Sequence, residues 1–352
     1  MTKNPYQNLP ASAFWKTGVT QENPYLIKSI YKKKFTIEPE EGIGTAGSCF
    51  AQHISRHLKR NGYNVLDVEP PPPGLPEDVH HKYGFSMYSA RYGNIYTVRQ
   101  LFQLALEAAG EWAPKNYIWE KNGKYFDALR PAVEPEGLDT PEEVVDHREH
   151  HISRVRILFE SMKVFIFTLG LTEAWVHKDS GTVYPVAPGV IAGHYDKNAY
   201  ELQNARHGTI IRDFNRFQSI LRKMRNDRDL KIILTVSPVP LTASASGRHV
   251  LVANSYSKST LISAAGQLSA NQENIDYFPS YEIATNPRLH STSFAENLRS
   301  IREETVHNIM GHFSFDHPAM QGGGQKNISS IDLIERQQEG QCEESLIEVF
   351  GG

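Results

Sequence analysis

Thr36-Ile-Glu-Pro-Glu-Glu-Gly-Ile-Gly-Thr-Ala-Gly-Ser-Cys-Phe-Ala-Gln-His-Ile-Ser-Arg-His-Leu58 joins a Gly-punctuated segment to an amphipathic one. Phe50, Ile54 and Leu58 recur at i, i+4 and i+8, which predicts a helix with one apolar stripe facing a sheet. Small residues at Gly44, Ala46 and Gly47 permit a tight strand-to-helix turn before it. Such a turn presents Ser48 or Cys49 at a helix N-terminus. There the backbone N–H groups and the helix dipole favour an anion and lower a thiol's pKa. That is a suitable place for a nucleophile.

Outward from this stretch, strands and helices alternate. Tyr63–Val68 reads as a second short strand, stopped by Pro70-Pro-Pro-Pro73. Residues 74–150 break the rhythm with a Tyr-rich run at Lys82–Tyr96, a helix at Val98–Ala109, and Trp112, Tyr117 and Trp119. They read as an insertion capping the site. The rhythm then resumes: a charged helix at Asp146–Glu160, a buried strand at Met162–Leu169, and a loop at Thr182–Asn204. Next come a helix at Ile210–Met224, a strand at Leu230–Val236, a helix at Ser257–Leu268, a short strand at Ile275–Pro279 and a last helix at Glu296–Phe313. These lengths predict an α/β fold with a parallel, doubly wound sheet and helices on both faces. Residues 1–34 read as an arm packed on the body, 35–315 as the α/β domain, and 316–352 as a flexible tail rich in Gly, Gln and Glu.

A chain of 352 residues has room for a sizeable core. Its net charge of −3 offers no general attraction to nucleic acid or membranes. No apolar run approaches the roughly 18 residues of a membrane helix, and the polar start Met1-Thr-Lys-Asn-Pro5 lacks a signal-peptide core. A cytoplasmic location is therefore expected. Two cysteines, Cys49 and Cys342, are too few for a disulfide framework, so Cys49 is expected to be a free thiol.

Gly47-Ser48-Cys49-Phe50-Ala51 spells the motif of the GSCFA family, which resembles a branch of the SGNH (GDSL-type) hydrolases. Phe167–Trp175, Val236–Leu241, Tyr256–Leu261 and Tyr277–Ile283 resemble further blocks of the family in the same order, over roughly residues 35–315. The resemblance implies a flavodoxin-like three-layer scaffold and an esterase-like activity. Laid over the Gly-Asp-Ser block of SGNH enzymes, Cys49 takes the nucleophile position and Ser48 that of the Asp. Cys49 is thus the first candidate nucleophile and Ser48 the second. Gly170-Leu-Thr-Glu173 resembles the Gly-x-Asn-Asp block, with Thr172 where an amide would stabilise the oxyanion. The late Asp-x-x-His of SGNH enzymes is replaced here by Asn297 and Ser300.

Ligands of open α/β sheets bind at the carboxyl ends of the strands. The segments expected there carry Gly47, Gly170, Thr172, Ser237, Tyr281 and Glu282. Tyr92-Gly93-Asn94 adds a candidate backbone N–H from Gly93 or Asn94. His249, following a strand end by a loop, is the candidate base, with His53 as alternative; Glu173 or Glu282 would orient the imidazole.

His53 and His57 at i, i+4, and His147-Arg-Glu-His-His151, lack the third ligand and acid of a zinc site, and the latter group reads as a solvated helix face. No metal is expected. Gly42-Ile-Gly-Thr-Ala-Gly47 matches G-x-G-x-x-G, but its glycines are expected inside the first strand rather than after it, which argues against a dinucleotide. Three functions remain. The first is an acyl-group enzyme, hydrolase or transferase, using an ester or thioester donor such as an acyl-CoA and possibly a saccharide acceptor, with no cofactor. The second is a binding or accessory protein on a catalytically altered scaffold. The third is a carrier acting through the terminal Gly351-Gly352.

Overall fold

Val164-Phe-Ile-Phe-Thr-Leu169 and Lys231-Ile-Ile-Leu-Thr-Val236 are apolar on both faces, as strands covered on both sides must be. The computed structural model describes residues 4–225, 229–318 and 343–351. Its elements begin with β1 (Ile43–Gly47), α1 (Phe50–Arg60), α2 (Val98–Ala108), β2 (Ile118–Lys121), β3 (Lys124–Asp127) and α3 (Pro141–Ser161). They continue through β4 (Val164–Leu169), β5 (Glu173–His177), β6 (Val183–Tyr184), β7 (Tyr200–Asn204), α4 (His207–Met224) and β8 (Lys231–Val236). The last are α5 (Val250–Asn271), β9 (Ile275–Phe278), α6 (Ser280–Ala284), α7 (His290–Ser293) and α8 (Glu303–Asp316).

A central four-stranded parallel sheet runs in the order β1-β4-β8-β9. Pairing Gly47 with Thr168, Leu169 with Val236, and Thr235 with Phe278 aligns the strands' carboxyl ends. Alternation along β4 feeds two cores. Val164 and Ile166 meet Phe50, Ile54 and Leu58 of α1 and Ile309 and Phe313 of α8. Phe165, Phe167 and Leu169 meet side chains of α2, α3, α4 and α5. The stripe expected on α1 is thus fully buried.

Several elements depart from the sequence reading. Tyr63–Val68 shrinks to one bridge from Val65 to Ile43, because Leu66 N–H still bonds Ile43 while Val68 N–H turns to the Ser89 carbonyl. The Thr182–Asn204 loop contains β6 and β7, which flank β5 in a small antiparallel sheet. Exposed polar residues of β7 hid it from a search for apolar strands. A β2–β3 hairpin turns through Asn122 and Gly123, both at positive φ, the requirement of a tight two-residue turn. α5 begins seven residues before Ser257, with His249 as its N-cap. The last long helix begins at Glu303 rather than Glu296. Asn297 Oδ1 accepts the N–H groups of Arg299 and Ser300, a side-chain turn that competes with helix.

The expected solvated histidine face of α3 is partly core. Arg148 and His151 are 4% and 1% exposed. Arg148 pairs with Glu107 and Asp127, Arg130 with Asp127, and His151 Nδ1 lies 2.7 Å from Glu69. A simple charge run gives no hint of this, because the partners come from three distant segments. The network locks residues 67–131 to α3. The N-terminal arm is fastened by Tyr31, whose hydroxyl donates to Asp276, and by Lys34 N–H on the same carboxylate. Most of the expected tail, and Gly352, lie outside the described residues. Within it, Glu343–Phe350 forms a short 3-10 helix, and Ile347 packs against the cluster of Trp119, Phe126 and Tyr184.

Candidate functional site

The carboxyl edge of the sheet collects several of the anticipated residues. Gly47 ends β1 at φ 140°, and an added Cβ there collides with the backbone of Thr168. Only glycine lets the chain pass β4 so closely. Ser48 N–H then donates to Thr168 O at 3.2 Å, and the Ser48 carbonyl accepts Ala51 N–H at 2.8 Å as α1 begins. Ser48 is 4% exposed, and its Oγ has no hydrogen-bond partner. The first turn of α1 holds no acidic side chain, so its positive end is uncompensated from within the helix.

Cys49 is half-buried against Tyr96, Leu171 and Leu241. It is disulfide-bonded, which corrects the expectation of a free thiol. Two cysteines cannot build a framework, yet they suffice for one bridge; Cys342 lies outside the described residues. A disulfide belongs to oxidising compartments and stands in tension with the expected location.

At the end of β4, Gly170 and Leu171 both donate their N–H groups to Tyr96 O, at 3.1 and 3.0 Å. Thr172 is 1% exposed; its N–H donates to Ser257 Oγ at 3.1 Å, its carbonyl accepts Ala205 N–H, and its hydroxyl has no partner. Ser237, at the end of β8, is buried, with Oγ accepting Val239 N–H. Gly93 and Asn94 run into the carboxyl end of β1, with their side-chain and backbone contacts made to neighbouring segments. Ile95 N–H bonds Gly47 O, and Asn94 Oδ1 accepts the Tyr88 hydroxyl, which also receives Gln52 Nε2.

The candidate acid–base groups are not drawn together. His249 is exposed, and its Nδ1 caps α5 by accepting Leu251 N–H. His53 accepts from the Arg56 guanidinium; burial, with Arg56 adding to it, pushes its pKa down to about 3. Glu173 accepts Ser244 Oγ at 2.8 and 3.0 Å and Asn204 Nδ2 at 3.4 Å. Burial raises its pKa, against the pull of Ser244, Ser246 and Arg248. Glu282 accepts the Tyr277 hydroxyl, and burial raises its pKa too; neighbouring Tyr281 is raised by burial and by Glu282. Neither carboxylate orients an imidazole. His57 bonds Ser314 Oγ, and among the described residues no group of metal-ligating side chains is assembled.

One residue escaped the sequence reading. Lys258, on α5, is 1% exposed, and its Nζ donates to Gly170 O at 2.9 Å. Lys258, Leu261, Ala265 and Leu268 recur at helical spacing, so the pattern already set this lysine on the buried stripe. A lysine there costs free energy to bury, which marks it for attention.

No curated protein and no solved structure matches this chain. Its sequence does match the model of the GSCFA family over residues 42–313, from the first strand through the last long helix. That span contains the whole sheet edge just described, and the chain belongs to the GSCFA family.

Proposed function

We propose that this protein is an acyl-group enzyme, an esterase or O-acyltransferase on an SGNH-like three-layer scaffold, with residues 74–150 as a capping insertion. The observation that carries this reading is the buried, unpartnered Ser48 hydroxyl at the head of α1, held against Gly170, whose carbonyl accepts from Lys258 Nζ. Nucleophile, positive helix end and a buried amine meet at the carboxyl edge of the sheet. Cys49, once reduced, is the nucleophile; Ser48 is the alternative one residue away.

The nucleophile's sulfur or oxygen gives its proton to Lys258 Nζ in the amine form and bonds to the acyl carbon of an ester or thioester. The bond from that carbon to the alcohol or thiol then breaks, and the departing group takes the proton back from Lys258. Water or a saccharide hydroxyl then attacks the acyl-enzyme, and the nucleophile regains its proton. Thr172 Oγ1 and N–H groups of α1 supply hydrogen bonds to the oxyanion. His249, exposed and engaged as a helix cap, takes no part.

Incubating the reduced protein with p-nitrophenyl acetate should add one acetyl group to its intact mass. The adduct should vanish in Cys49→Ala, or in Ser48→Ala if the hydroxyl is the nucleophile. Absence of any adduct would favour the second reading, an accessory protein on an altered scaffold. That reading is motivated by Asn297 and Ser300, which bond each other at 3.0 Å where an acid–base pair would stand.

A further inference from the structure

The N-terminal arm divides where its hold on the body begins. From Thr20 onward it is fastened: the Arg288 guanidinium donates to Thr20 O and Glu22 O, Ile27 N–H to His312 Nε2, and Lys34 Nζ to Ser269 O. Ahead of that, residues 10–21 fold on themselves. Phe14 O accepts Gly18 N–H at 2.7 Å, Lys16 O accepts Gln21 N–H at 2.9 Å, and Thr17 Oγ1 donates to Ala11 O at 2.6 Å. Neither of the two short helical turns formed there has a buried residue. Six of the sixteen exposed large apolar side chains among the described residues fall between Tyr6 and Leu26, with Trp15 69% and Leu26 67% exposed. Phe315, 87% exposed, lies one turn beyond His312 on α8, on the side that receives Ile27. Isolated apolar side chains on a surface are ordinary, whereas a concentration of this kind marks an interaction site.

Charge selects the partner. Residues 1–34 hold six lysines and one glutamate, so the net −3 of the whole chain conceals a basic arm on an acidic body. Lys16 and Lys28 are exposed and adjoin Trp15 and Leu26 in sequence, and Arg288, also exposed, adds a cation from the body. A soluble polyanion would be held by the lysines and has no use for Leu9, Leu26 or Phe315. An uncharged apolar partner has no use for the lysines. A bilayer surface rich in anionic lipid uses both. Trp and Tyr rings settle at the level of the headgroups, Leu and Phe reach the acyl chains, and lysines sit among the phosphates. We propose that the N-terminal arm, together with Phe315, docks the protein peripherally on an anionic lipid surface. The docking is independent of the acyl chemistry proposed above.

Co-sedimentation of the full chain with vesicles tests this, using equimolar phosphatidylcholine and phosphatidylserine against phosphatidylcholine alone. Binding to the mixed vesicles is expected, far less to the neutral ones, and molar salt should release it. Lys16→Gln and Lys28→Gln should each weaken binding about fivefold, the worth of one cation near an anionic surface. Trp15→Ser combined with Leu26→Ser should weaken it by about tenfold or more, through the apolar area kept out of the bilayer. Phe315→Ser carries the same test if that double variant does not fold. No binding to the mixed vesicles, equal binding to both kinds, or undiminished binding in the folded variants would overturn the proposal. Weakening in the lysine variants alone would assign the arm to a soluble polyanion. A dimer in sedimentation velocity that Trp15→Ser abolishes, without vesicle binding, would assign it to a second copy of the chain. Either result overturns the lipid assignment.

Discussion

A Cβ built on Gly170 falls 3.0 Å from the Cβ of Ser48, and 3.3 Å from the Tyr96 carbonyl. The ends of β1 and β4 therefore touch through a glycine, and the site depends on two such contacts. At Gly47 the added atom meets rigid backbone of Thr168 at a φ that L-residues rarely adopt. Gly47→Ala should cost about 2–4 kcal/mol of stability, read from urea midpoints. Gly170→Ala should cost less, because the added atom meets its neighbours at 3.0–3.3 Å rather than 2.4–2.8 Å and no left-handed φ is involved. It should instead depress acyl-adduct formation. Equal loss of stability in the two variants would count against this division.

Lys258→Met tests the buried amine. Methionine fills similar space but leaves the Gly170 carbonyl without that donor, at a cost of about 1–3 kcal/mol. In the proposed mechanism it also removes the proton-handling group, so adduct formation should fall far more than stability does. A variant that is destabilised yet reacts with p-nitrophenyl acetate at the wild-type rate would restrict Lys258 to a structural part.

The parallel sheet, the order of its strands along the chain and the buried stripe of α1 were readable because apolar residues at period 2 or 3.6 carry them. So was the placing of Gly44 and Gly47 within β1, with Gly42 just ahead of it. What escaped depended on partners far away in sequence. The polar strand β7 is held by β5, Arg148 and His151 by Glu69, Glu107 and Asp127, and the early start of α5 by the His249 cap. The candidate site was half legible. Ser48, Gly170, Thr172 and Ser237 do lie at the sheet edge, whereas His249, read from its place after a loop, caps α5, and Glu282, read from its place after β9, bonds Tyr277. Lys258 was passed over although its helical phase pointed inward.

Cys49 offers a direct chemical check. Its sulfur is disulfide-bonded, so iodoacetamide should leave Cys49 unmodified in protein purified without reductant and alkylate it after dithiothreitol treatment. Peptide mapping distinguishes the two states. Labelling before reduction would show the bridge to be absent in solution.

His151 sets the last expectation. It is buried beside Glu69, and burial, reinforced by Arg130, pushes its pKa from the ordinary 6.5 down to about 4. The unfolded chain takes up that proton as pH falls through 6.5, while the folded chain resists until about 4. Stability must therefore drop across this window, by on the order of 3 kcal/mol for one such group. His57 and His317, each lowered to about 4 by burial and neighbouring cations, act in the same direction. Glu69 extends the loss further down. Burial pushes it up, but His151, Arg130 and the Arg91 N–H outweigh that and hold it at about 2, so its contribution disappears only between 4.5 and 2. Urea midpoints should fall steadily from pH 7 to pH 4.5. His151→Gln, which keeps an N–H for Glu69 and cannot titrate, should flatten that fall; an unchanged slope would mean that His151 is protonated in the folded protein.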